Sequence, residues 1–166
     1  MQEQKVKFIH FLEKFPEIEL PITLSDESQL DFSRNNQPFH PLMINQFILP
    51  IEGIEMDEFT EYIPCFKIPK TFDIHAVVFW KATLMNYQYH LVTFDKKGNL
   101  LDKAVIAGTY SDGEVLVQSV ATIEDDWIIY IVSGKSDASS DNTYDASKSQ
   151  TFNLELLADG KIITSD

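Results

Sequence analysis

The residues that could do chemistry in this chain are few and scattered. Histidine is the side chain best suited to proton transfer or metal binding near neutral pH, but His10, His40, His75 and His90 lie too far apart to share one helix face or one turn. His75 and His90 fall on adjacent expected strands and can face each other, or simply sit as two polar residues on a half-exposed sheet face. Cys65 is the only cysteine, so the chain forms no internal disulfide and no cysteine-based zinc site. Asp137, Asp141, Asn142 and Asp145 offer oxygen atoms that a hard cation favours. Their spacing departs from a calcium loop, which needs a glycine at its sharp turn and a closing glutamate. The glycine spacings that cradle phosphates or dinucleotides are absent, as are the zinc-protease helix and the nucleophile elbow. No catalytic residue, metal ligand or cofactor-binding residue is assigned, and no cofactor is expected.

Charge is more informative. The 166 residues hold 26 acids against 13 bases, a net charge of -13, and Arg34 is the only arginine. Nucleic-acid binding relies on Lys and Arg displacing counterions from phosphates, so a field of this sign argues against it. Glu52, Glu55, Asp57, Glu58 and Glu61 form an acidic run with no base among them. Such a run is either a solvated face or a patch that steers a basic protein partner. A second candidate is a ligand pocket lined by the aromatic residues Trp80, Tyr87 and Tyr89, whose plain alternative is core packing.

These residues must be positioned by a sheet. From Ile74 to Val132, runs of Val, Ile, Phe, Trp and Tyr alternate with short polar turns, the pattern of an antiparallel meander. Asp95 to Asn99 separates two apolar arms, and Gly98 supplies the positive φ of a tight hairpin. In the longest strand, expected over Ile74 to Met85, one parity (Ile74, Ala76, Val78, Trp80, Ala82, Leu84) is wholly apolar and faces the core. The other parity holds His75, Val77, Phe79 and Lys81, so part of it is covered too. Pro64 confines the strand Tyr62 to Ile68 to an edge or a bulge. Gly108 to Gly113 reads as a turn, and Asp159-Gly160 closes a final hairpin.

Ahead of the sheet, Phe8, Leu12 and Phe15, widened by Ile9 and Phe11, form the apolar stripe of an amphipathic helix over residues 2–15, ended by Pro16. A Pro-rich connecting region over 16–61 follows, with at most an edge strand at Glu19 to Leu24 and a short helix from Pro41 to Leu49 that Pro50 stops. Residues 133–150, almost wholly polar, read as a mobile loop within the sheet of residues 62–164. The expected fold is a single α+β domain, mainly β: a twisted antiparallel meander of about six to eight strands with the N-terminal helix packed on it. A closed or nearly closed barrel is the alternative, since closure depends on tilt and register.

The succession YHLVTFDKKGNLLDKAVIAG, ATIEDDWII and LLADGKI is similar to small β-rich bacterial domains of unassigned function. In size and charge the chain resembles small acidic bacterial immunity proteins, which neutralise a cognate toxin by binding it. The resemblance implies a non-enzymatic module with a basic protein partner and assigns no functional residue. A β-rich domain that binds or transforms a small ligand is the alternative. No run is long and apolar enough for a membrane span, and the location expected is cytoplasmic, unless Met1 replaces an export signal.

Overall fold

The computed structural model describes residues 5–55, 57–111, 113–137 and 149–165. Eight strands succeed one another in sequence order across an open antiparallel sheet: β2 (Glu61–Lys67), β3 (Ile74–Ala82), β4 (Asn86–Asp95), β5 (Leu100–Ser111), β6 (Val115–Ile123), β7 (Ile128–Asp137), β8 (Gln150–Leu156) and β9 (Ile162–Thr164). A ninth strand, β1 (Ile22–Leu24), pairs with the far half of β6, beyond the residues that pair with β5. The fold is thus the expected α+β meander, and the barrel alternative gives way to an open sheet, because β2 and β9 end the path and do not pair with each other. The sheet nevertheless curls. One buried cluster collects Leu24, Phe66, Val78, Leu91, Ile123, Ile129 and Leu156 from strands at both ends. The last hairpin is tied back to the middle by Thr93 Oγ1 donating to the Gly160 carbonyl at 2.6 Å and by Ile162 N donating to Asp102 Oδ2 at 2.8 Å.

The two parities of β3 separate the two cores. Ile74, Ala76, Val78, Trp80 and Ala82 enter the first cluster, whereas Val77 and Phe79 enter a second one with Phe11, Phe15, Phe39, Met43, Ile48, Val92 and Phe94. Covering both faces explains why the mixed parity of β3 carries so much apolar area. Leu84 departs from the expectation: the strand ends at Ala82, and Leu84 lies in the β3–β4 turn, 75% exposed. Pro64 sits where its missing N–H is harmless, on the edge strand and beside a register shift before Phe66. The edge carbonyls there are satisfied by Asn36, whose Nδ2 donates to Pro64 O at 2.7 Å and Cys65 O at 2.8 Å.

Several expected elements change. The helix over 2–15 contracts to α1 (Phe8–Leu12), because Gln46 holds the backbone of Val6 through both its N–H and its carbonyl, and residues 1–4 lie outside those described. Its phenylalanines still dock as expected, with Phe11, Leu12 and Phe15 buried, while Ile9 points outward. The connecting region 16–61 is not simply loop. It contains α2 (Ser28–Asn35), which has no fully buried residue and so no strong apolar periodicity to reveal it. It also contains a continuous helical segment, α3 (Pro41–Met43), a wide π turn (Ile44–Ile48) and α4 (Leu49–Glu52). Pro50 does not stop that segment, since the wide turn before it relieves the clash of its ring with the preceding turn.

Gly108 lies within β5 rather than in a turn; a Cβ there would come within 2.1 Å of the Tyr87 carbonyl, so glycine permits a close approach of strands. The expected loop over 133–150 is shorter at both ends, since β7 runs to Asp137 and β8 begins at Gln150. Residues 138–148, including Asp141, Asn142 and Asp145, lie outside the described residues.

Candidate functional site

One row of register partners crosses five strands: Glu61 on β2, Ala82 on β3, Tyr87 on β4, Thr109 on β5 and Gln118 on β6. The segment between β1 and α2 lies over this row, fixed by Tyr89, whose hydroxyl donates to the Ser25 carbonyl at 2.7 Å. Asp26 is thereby set against the row. Its carboxylate accepts from the Thr109 hydroxyl and from Gln118 Nε2, the latter at 3.1 Å. Between the segment and the sheet lies a cavity of about 440 Å³ lined by Asp26, Gln29, Glu61, Trp80, Ala82 and Tyr87. Trp80 and Tyr87 stack along its wall at 5.8 Å and 16°. A neighbouring cavity of about 470 Å³ shares Asp26 and adds Glu27, Val120 and Val132.

Two carboxylates, a side-chain amide and an aromatic wall make a seat for a cation. A guanidinium or ammonium group gains charge pairing from the acids and attraction to the ring face. Among the described residues no base forms an ion pair with Asp26 or Glu61. This cavity joins residues from both sequence-level candidates. Glu61 comes from the acidic run; Trp80 and Tyr87 come from the aromatic set. Tyr89 lies beneath, fully buried, and its phenol is raised above the ordinary range mainly by that burial. Asp26 and Gln29 were not legible, because they belong to a polar stretch whose place over the sheet is decided by the pairing of β1 with β6.

The rest of the acidic run does not gather there. Glu55 and Glu58 are exposed. Asp57 closes a local turn, accepting from Phe59 N at 2.8 Å and Thr60 Oγ1 at 3.0 Å, and the Thr60 bond is the chief reason its carboxyl is lowered. Glu52 turns under the helical segment against the second core, where Lys81 Nζ meets its Oε2 at 2.5 Å.

Around that ion pair is a partly buried polar cluster with no sequence signal. His90 stacks on Phe79 at 5.1 Å and hydrogen-bonds Gln88 at 3.0 Å, with Glu52 Oε1 3.9 Å from its Nε2. Burial pushes its imidazole down to about 4; Glu52 pulls it up, and Lys81 and Lys103 add to the lowering. Lys103 Nζ donates to the Ile51 carbonyl at 2.6 Å, a second tie between helix and sheet. Tyr62 completes the cluster, its buried hydroxyl without a hydrogen-bond partner among the described residues. Burial and the carboxylates of Glu52 and Asp57 push that hydroxyl up to about 12. His75 and His90 do not face each other, since His75 is opposite Phe94 and His90 opposite Phe79. No group of three or more metal-ligating side chains converges among the described residues.

Comparison with known protein families, with curated proteins and with solved structures finds no match. Among the described residues no helix is long and apolar enough to cross a membrane.

Proposed function

We propose that the chain is a non-enzymatic module that binds a basic partner protein, most concretely an immunity-type protein that neutralises its partner by occupying it. The observation that carries this reading is the convergence of Asp26 and Glu61, from distant parts of the chain, on the Trp80–Tyr87 wall without a compensating base among the described residues. A cavity built this way is complementary to a lysine or arginine side chain. The net charge of -13 supplies the long-range attraction that brings a basic surface to it.

An immunity protein is expected to be encoded beside its toxin, so the test is titration calorimetry against the product of the adjacent gene at low and high salt. Binding should weaken as salt rises, and the Asp26→Asn/Glu61→Gln pair should weaken it about tenfold or more. Binding unaffected by that pair would remove the cavity from the interface. An adjacent product that does not bind would end the immunity form of the proposal.

A further inference from the structure

A separate groove of about 550 Å³ lies between the β4–β5 pair and strands β6 to β9, a volume within the roughly 300–1,000 Å³ usual for small-molecule clefts. None of its 18 lining residues is charged, although 23% of the chain is, so whatever it suits is neutral. Its walls combine two kinds of group. Tyr110 and Phe152 present rings that are 49% and 48% exposed. The side chains of Asn86, Thr151, Asn153 and Thr164 supply amide and hydroxyl groups that bond no other protein group among the described residues. Gly108 opens the floor, since no side chain fits against the Tyr87 carbonyl at that point.

We infer that this groove binds a neutral carbohydrate. A sugar ring offers an apolar C–H face for the aromatic rings and hydroxyls that both donate and accept, matching amides and hydroxyls that do the same. A hydrocarbon ligand would strip water from those polar groups and return nothing. Among the described residues, the edge of β5 before Gly108 and that of β8 before Asn153 carry no strand partner, so an added peptide strand is the competing occupant, and the peptide arm of the experiment below separates the two. The groove shares only Tyr87 with the lining of the acidic cavity, and the inference predicts a different salt response, since no charge is neutralised on binding.

The experiment is an amide NMR titration of the full chain with maltotriose, cellotriose and the N-acetylglucosamine trimer at millimolar concentrations. At least one should shift the amides of Gly108, Tyr110, Phe152 and Asn153 to the same extent at low and high salt. Phe152→Ala and Tyr110→Ala, both at exposed positions that leave the core intact, should each weaken binding about tenfold. Three outcomes overturn the inference: no groove amide shifts with any of the three sugars; the shifts persist undiminished in both variants; or the groove responds to a neutral Thr- and Leu-containing peptide and to no sugar.

Discussion

Two polar sites flank the same strands and are built on opposite principles. Beneath the helical segment, Glu52 is answered by Lys81, and His90 is held neutral among Phe79, Gln88 and the two lysines. Beside β1, Asp26 and Glu61 stand in an open cavity with neutral donors or none. In the first, charge is taken out of water only with a partner beside it, as the cost of burying an ion demands. In the second the charge stays near solvent, where the cation of the proposed partner would meet it. Pairing fastens one region; lack of pairing leaves the other available.

Removing the wall that the open cavity shares with the core gives the largest effect. Trp80 is 8% exposed and packs on the first cluster, so Trp80→Ala should cost about 3–5 kcal/mol in urea unfolding. Tyr87 is 41% exposed, and Tyr87→Ala should cost much less while removing the stacked face from the cavity. Similar losses for the two would mean that the Trp80–Tyr87 stack is purely a packing element.

The next effect separates the paired site from the unpaired one. Lys81→Met strands the Glu52 carboxylate against apolar surroundings and should cost about 2 kcal/mol, most of it recovered when Glu52→Leu is added. Glu61→Gln, at an exposed position, should stay within about 0.5 kcal/mol. A double variant no more stable than Lys81→Met alone would show that the pair is not what fastens the helical segment.

How much of this could be read from the sequence depends on the range of the interaction. The alternation of β3, the Gly98 hairpin, the Asp159-Gly160 turn and the edge role of Pro64 are local, and each has a local steric or hydrogen-bonding cause. Leu84 kept the parity but fell past the strand end, because parity does not say where pairing stops. α2 was missed since Phe32 and Leu30 are its only large apolar residues. The sites were half legible. Trp80, Tyr87 and Glu61 could be named, but Asp26 joins them through bonds to Thr109 and Gln118, over 80 residues away. Glu52 looked like part of an acidic surface until Lys81, 29 residues on, was placed against it.

Acid should loosen the paired site, through His90, before it reaches the carboxylates whose range is lowered. His90 falls from the ordinary 6.5 to about 4 in the folded chain, so the unfolded chain takes up the proton first. Its contribution to stability is complete above pH 6.5 and is lost as pH falls toward 4, about 2 kcal/mol by pH 5. Glu52, Lys81 and Lys103 are the charged groups facing it and Gln88 the neutral one. Asp57 and Asp95, whose carboxyls are lowered from 3.8, act only below that window. Urea midpoints measured from pH 7 to 5 should therefore fall in the native chain and fall less in His90→Gln, where His75, also lowered chiefly by burial, supplies what slope remains; equal slopes would locate the acid sensitivity elsewhere.

The smallest effect concerns the remaining acids. Glu55, Asp57 and Glu58 are exposed and lie outside the cavity, so they act on a basic partner through the field alone, over a Debye length of about 8 Å at physiological salt. Such charges change the encounter rate and leave the bound complex nearly untouched. Neutralising the three together should lower k_on a few-fold at low salt and flatten its salt dependence with k_off unchanged, whereas Asp26→Asn/Glu61→Gln should raise k_off. Stopped-flow association and dissociation with the basic partner measure both. An unchanged k_on in the triple variant would reduce that stretch to a solvated turn, and an effect on k_off as large as that of the cavity pair would move the interface from the cavity to the turn. Steering and seating are separable here because, among the described residues, no bond joins Asp57, whose carboxylate oxygens accept from Phe59 and Thr60, to the cavity that would hold the cation.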